Sequence, residues 1–507
     1  MRNNIYIKSL FFLNKIFNAQ QKKLATILLI IMTLGMIFEV LLLKNLLILL
    51  NYLTNSNLNA PDFIVFISQK FQFKDLTIVV LLVFIFTFLL KTLVNILVKW
   101  RESNFIYIIK AQISERLFTG YMRLPIIFHQ KTNTAKLLKN ITLEIEQFSI
   151  FIFSISKLLL ELLIMTGISI YLLSIDFYIS TFCIIALVFF GYFFNFFNKN
   201  KLRSMSKKRV YHQDERVKTI LEGLGGMREF KLLSKENSIL EKFSYHNLSI
   251  AKISISTTLR NAFSKPSFEI FMLLVLSIFL TYIILNNLLT ASIIPILGIY
   301  LAAAYRLVPS ISQIVQSVQG IQFNLHCVKN LHEDIRKFDF NEQNKIQEKN
   351  FINFQEKVEF KNVSFSYSGE NKKIDDNVLE DANLVIKKGE CIGIQGNSGA
   401  GKSTFVDLLI GLQRPSSGVI EVDNLNIHEC LKKWQNKIGC VPQEVFIADD
   451  TLKKNIAFGE PVERISEEKI SKCLYFSNLQ SFSQSLPNKE DTIIGEKGSR
   501  ISGGQKQ

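Results

Sequence analysis

Apolar residues along this chain gather into long unbroken runs up to about residue 308, and into short runs separated by turns beyond residue 358. A helical run must reach about 20 residues to cross a hydrocarbon layer of roughly 30 Å. Six runs reach or approach that length, at 24–43, 76–98, 150–173, 177–197, 268–285 and 293–308. The connections between them differ in charge. Those at 99–148 and 199–265 carry 8 and 15 Lys and Arg, whereas the outer ones carry few, Lys70 and Lys74 among them. Positive residues stay on the cytoplasmic side, so the pattern predicts a six-span bundle with both termini in the cytoplasm. The first run is too long for a signal-peptide core and no small-residue cleavage site follows it, so it is expected to remain as a helix.

The two basic connections are long, and both continue with apolar residues at helical spacing among charges. "ESNFIYIIKAQISERLFTGYMRL" before Pro125 and "RVYHQDERVKTILEGL" before Gly225 predict helices that leave the membrane and turn at a short tip. The alternative is a pair of solvated charged loops. A polar stretch, "DIRKFDFNEQNKIQEKN", then separates two compositions, which divides the chain into an N-terminal segment 1–23, a membrane domain 24–324, a linker 325–355 and a second domain 356–507. In that last part "VEFKNVSFSY", "LVIKKGECIGIQG" and "STFVDLLIGL" alternate β-rich and helical pieces, predicting an α/β domain.

Composition refines this picture. The 507 residues exceed what one core usually serves, and 48% of them are apolar. A net charge of +16 would suit a nucleic-acid binder, but the excess lies in the membrane connections, so no nucleic-acid partner is expected. The six cysteines, at 183, 327, 391, 430, 440 and 473, form no close pair and signal neither a disulfide framework nor a zinc site.

The most specific local feature is the run Gly396, Asn397, Ser398, Gly399, Ala400, Gly401, Lys402, Ser403, Thr404, which fits G-x-x-x-x-G-K-[ST]. The preceding "CIGIQG" reads as a buried strand and the following "STFVDLLIGL" as a helix, the setting in which backbone N–H groups wrap phosphates. In that reading Lys402 reaches the β- and γ-phosphates of ATP and the Ser403 hydroxyl ligates Mg²⁺. The alternative is a chance Gly-rich turn.

Around this loop the domain resembles the nucleotide-binding domain of ATP-binding-cassette exporters, with its motifs in the family's order. "VSFSY" ends in Tyr367, similar to the aromatic residue that stacks on adenine, and "GLQRPSSG" is similar to the family's turn after the phosphate loop. "KIGCVPQE" places Gln443 where the family has the glutamine that senses Mg²⁺ and the γ-phosphate. "IGEKGSRISGGQKQ" resembles the signature, with Ser502, Gly503, Gly504 and Gln505 in its fixed places and Ile501 for the usual Leu. The resemblance implies a six-helix membrane exporter domain followed by an α/β P-loop NTPase domain in the bacterial inner membrane. It also implies a homodimer in which each signature covers the ATP of the partner. The sequence reaches Gln507 directly after the signature. The family's magnesium Asp, base Glu and switch His would follow, so the NTPase domain is read as incomplete and no catalytic residue is assigned within it.

Three stretches of the membrane part, 123–148, 223–243 and 302–324, resemble exporters that flip lipid-linked oligosaccharides. The segments 125–134 and 223–233 would then be coupling tips, and the cargo a glycolipid moved by alternating access. The alternatives are export of a peptide or a drug-like amphiphile, and an ATP-gated channel or regulator that does not hydrolyse. Glu39, Lys44, Lys91, Glu269 and Arg306 lie in or beside the apolar runs, where charge is costly and usually functional. Arg306 in "AAAYRLVPS" is the candidate for holding a pyrophosphate by two parallel bonds, with Lys91 the weaker one. The competing expectation is that these charges neutralise one another, which would end the pyrophosphate role.

Overall fold

The computed structural model describes residues 17–54, 75–285, 293–343, 354–367, 377–495 and 500–507, with positions 66, 69, 70 and 498 between them. Expectations for residues 1–16, Lys74, 344–353 and Glu496 lie outside the described residues. The chain divides at Lys345 into two compact units.

Unit one is built on six long helices: α1 (Ala19–Leu53), α2 (Leu76–Arg123), α3 (Ile145–Ile175), α4 (Phe177–Gly225), α5 (Glu236–Leu285) and α6 (Ile293–Gln343). Each holds an apolar window able to cross a membrane. At 1.5 Å per residue, the 49, 50 and 51 residues of α4, α5 and α6 give lengths of about 75 Å, more than twice a hydrocarbon layer. The basic connections are therefore helical extensions of the spans rather than solvated loops. Their tips are short: Leu124 leaves the α-region before Pro125, and a helix Ile126–Lys131 follows. The other tip turns at Gly226 into a helix Met227–Leu232. Between α3 and α4 the chain reverses at Asp176, whose carboxylate accepts the Ile179 N–H at 2.9 Å and caps α4. Residues 325–343, read from sequence as linker, belong to α6. Val328, Leu331 and Ile335 are buried at helical spacing there, and that apolar stripe holds the polar-looking segment in the helix.

Two buried clusters knit the bundle. Leu28, Met32, Ile109, Leu117, Phe148, Phe151 and Val328 join α1, α2, α3 and α6. Leu43, Ile168, Leu187, Phe268, Ile299 and Ala303 join α1 and α3 to α4, α5 and α6. Gly167 lets α3 approach α1 closely, since a Cβ there would stand 2.7 Å from Met36 Cγ.

Unit two contains an antiparallel sheet of four strands, β1 (Lys357–Ser366), β2 (Asn377–Lys387), β3 (Ser417–Val422) and β4 (Leu425–Asn426), in the order β2-β1-β3-β4. Phe360 on β1 stacks on Phe405 of α7 (Lys402–Leu409) at 4.7 Å and ties that helix to the sheet. The run 391–396, for which the sequence predicts a buried strand, is irregular and exposed; Ile392 and Ile394 keep 44% and 46% of their surface open. An apolar run becomes a strand only beside a ladder partner, and among the described residues the four strands pair with one another and leave it none.

Candidate functional site

The glycine pattern of residues 396–404 folds as a loop running into α7. Gly399 and Gly401 both sit at φ +84°, a region L side chains rarely enter. At Gly401 a Cβ would also meet Val378, 2.9 Å from Cγ1 and 3.1 Å from the carbonyl oxygen. The Ala400 N–H donates to the Asn397 carbonyl at 3.2 Å, and the Phe405 N–H to the Gly401 carbonyl at 2.8 Å, which closes the loop onto the helix start. Lys402 reaches back across the loop and donates from Nζ to the carbonyls of Gly396 and Asn397, each at 2.8 Å. The ammonium is thereby held at the mouth of the loop. Ser403 beside it is exposed, whereas Thr404 is buried and shares a 3.0 Å hydrogen bond with the Tyr367 hydroxyl. The Tyr367 ring stands edge-on to Phe365 at 4.9 Å.

One ammonium, one open hydroxyl and a glycine loop at a helix N-terminus form a donor set that suits a nucleotide triphosphate. Mg²⁺ is usually held by one or two protein groups together with substrate phosphates, and the open Ser403 hydroxyl suits that role. Gln443 is exposed, and among the described residues no hydrogen bond joins it to Ser403 or Lys402. At the signature, Ser502 caps the short helix Gly503–Lys506: its Oγ accepts the Gln505 N–H, and Gln505 Oε1 accepts the Ser502 N–H at 2.9 Å. Gly503 and Gly504 are exposed, with nothing within 4 Å of a Cβ added to either. Within one chain the structure therefore brings Tyr367 to the 396–404 loop, and leaves Gln443 and residues 502–504 with open surfaces of their own.

The membrane unit holds a second polar centre. Glu39 on α1, only 4% exposed, accepts from Arg306 Nε at 2.5 Å and from Lys91 Nζ at 3.0 Å. The same guanidinium donates to Ser310 Oγ at 2.7 Å and lies 3.5 Å from Glu161 Oε2, to which Ser310 donates at 2.7 Å. Two carboxylates and two cations from α1, α2, α3 and α6 thus neutralise one another. This corrects the expectation for Arg306 and Lys91: both are tied to buried carboxylates, and a pyrophosphate would have to displace those partners at the cost of leaving them unpaired. Glu269 pairs instead with Lys265 one turn away at an exposed site. Glu161, a single acid inside the third apolar run, carries in the sequence the same signal as Glu39 and joins the cluster without having been among its candidates.

Residues 23–303 match the family described as ABC transporter transmembrane region, and residues 379–507 match the one described as ABC transporter. The ATP-dependent lipid A-core flippase of Wigglesworthia glossinidia brevipalpis is 28% identical over 410 residues, 78% of this chain and 67% of that protein. YgaD of Bacillus subtilis (strain 168), proposed by its name to be a multidrug export ATP-binding/permease protein, is 25% identical over 422 residues, 81% of this chain and 69% of its own length. A solved bacterial Atm1-family ABC exporter with ATP bound shares the fold, with a TM-score of 0.75 at 18% identity, over 96% of this chain and 83% of that one.

Proposed function

The chain belongs to the ABC transporter family, and on that premise we propose that it is one subunit of a homodimeric exporter that uses ATP to move an amphiphile across the bacterial inner membrane by alternating access. The observation that carries this reading is the Lys402 loop at the head of α7, joined in one chain to six helices able to cross a membrane. In this reading Tyr367 stacks on adenine, residues 396–404 hold the phosphates, and Ser403 with Gln443 ligates Mg²⁺. Ser502, Gly503, Gly504 and Gln505 complete the site of the partner subunit, for which their exposed surfaces leave room. We assign residues 24–324 to translocation and 356–507 to nucleotide binding, with both termini in the cytoplasm. The tips 125–134 and 223–233 carry motion from one to the other.

For the cargo we infer a lipid-linked oligosaccharide or related glycolipid, supported by the three stretches of sequence resemblance and by the lipid A-core flippase among the relatives. A drug-like amphiphile is the second reading. It is favoured by the charge balance around Arg306, which presents no free cation to an anionic headgroup. The test is ATP-dependent protection of a fluorescent lipid-linked oligosaccharide, and separately of a cationic dye, in proteoliposomes. Lys402→Ala serves as the control and should abolish both ATP binding and transport. Movement of the dye alone overturns the glycolipid cargo, and undiminished turnover in Lys402→Ala overturns the nucleotide site.

A further inference from the structure

The charged halves of α4 and α5 run antiparallel and are joined by a ladder of side-chain rungs. Arg260 donates to Asn198 Oδ1 at 2.7 Å, Arg216 donates to Asn247 Oδ1 at 3.2 Å, and Lys242 stands 3.5 Å from Glu222. Each of these joins a donor to an acceptor or a cation to a carboxylate. The rung between them joins two like groups, for His212 Nδ1 of α4 faces His246 Nδ1 of α5 at 3.0 Å. We propose that His212 and His246 form a bidentate site for a divalent transition-metal ion of the nickel and copper class, bound between α4 and α5.

The geometry selects the ion. With metal–nitrogen bonds of roughly 2.0–2.1 Å, ring nitrogens kept 3.0 Å apart would subtend about 94° at the metal once both rings turn their lone pairs off the N···N line. That angle suits neighbouring positions of a square-planar or octahedral ion better than tetrahedral Zn²⁺. No third His, Cys, Asp or Glu joins them among the described residues, so water fills the remaining positions. Both nitrogens must be unprotonated to bind. His246 is buried, while the rings of Tyr211 and Tyr245 flank the pair and remain exposed, which leaves an approach from their side. Lys208, one turn before His212 on α4, opposes a cation, while Glu215 faces Lys242 at 3.9 Å. Without metal one Nδ1–H of the pair donates to the other Nδ1; metal binding moves that proton to Nε2 of the same ring, and the hydrogen bond gives way to two metal–nitrogen bonds.

The experiment uses the detergent-solubilised chain without an affinity tag. Calorimetric titration with Ni²⁺ at neutral pH should show one site per chain. His212→Ala and His246→Ala should each lose at least about tenfold in affinity, a loss that even outer-shell changes produce in metal sites. Substituted with Cu²⁺, the unaltered protein should give an electron paramagnetic resonance spectrum with splitting from two imidazole nitrogens, a readout that needs no variant to fold. His212→Gln keeps a hydrogen-bonding rung and should fold without binding. Absence of Ni²⁺ uptake, uptake undiminished in the variants, or a copper spectrum lacking the two-nitrogen splitting overturns the site and leaves the pair a hydrogen bond only.

Discussion

Replacing Arg306 with Ala tests the membrane charge cluster directly. The guanidinium touches Glu39 at 2.5 Å, Ser310 at 2.7 Å and Glu161 at 3.5 Å. Its removal leaves Lys91 to serve Glu39, while Glu161, with its side chain 6% exposed, keeps among the described residues only the Ser310 hydroxyl. Breaking a buried pair in this way costs about 3–5 kcal/mol, because a desolvated charge is left behind. With its own side chain 25% exposed, Arg306 should sit near the lower end, about 3 kcal/mol, or somewhat over a hundredfold in equilibrium constant. Arg306→Lys should recover part of this, since one ammonium cannot bridge both carboxylates with the planar fork. The double variant Arg306→Met, Glu161→Gln removes the cation and its stranded partner together and should regain most of the stability. The assay is denaturant unfolding in detergent, followed by transport in the same variants. Recovery of transport in the double variant would make the guanidinium a structural tie, and loss of transport in a fully stable double variant would return it to the substrate. An Arg306→Ala protein as stable as the parent would refute the network altogether.

Two further outcomes follow from unit two. His428 is partly buried with neither ring nitrogen hydrogen-bonded among the described residues, and burial, then the nearby Arg414, lowers its pKa to about 4. The unfolded chain therefore takes up a proton that the folded one resists. Stability should be complete well above pH 6.5 and fall by about 3 kcal/mol as pH drops towards 4. His428→Phe should flatten that slope in unfolding titrations, and an unchanged slope would contradict the assignment. Gly399→Ala and Gly401→Ala share the same φ of +84°, so each should cost about 1–2 kcal/mol in backbone strain. Only at position 401 does the added Cβ also meet Val378, so thermal unfolding should show Gly401→Ala as the costlier change, with the larger loss of ATP binding. Equal effects would mean that the contact is relieved without consequence.

The hydrophobic pattern by itself determined the six spans, their helical extensions and the place of the tips, because membrane crossing and helical amphipathicity are written in runs of neighbouring residues. The glycine loop at 396–404 was legible for the same reason: the left-handed φ of Gly399 and Gly401 and the reach of Lys402 back to the loop carbonyls are local geometry within nine residues. Partner choice was not local. Glu39 and Arg306 are 267 positions apart, and the sequence could mark both as costly without telling a free guanidinium from a paired one. Packing of α6 against α1 and α3 decided that, and it drew in Glu161 as a member. The run 391–396 shows the same limit in reverse, since its apolar residues promise a strand while ladder partners, which lie elsewhere in the chain, decide whether one forms. The stretch 325–343 looked like a linker by polarity, yet α6 continues through it because Val328, Leu331 and Ile335 find a buried face that only the folded bundle provides.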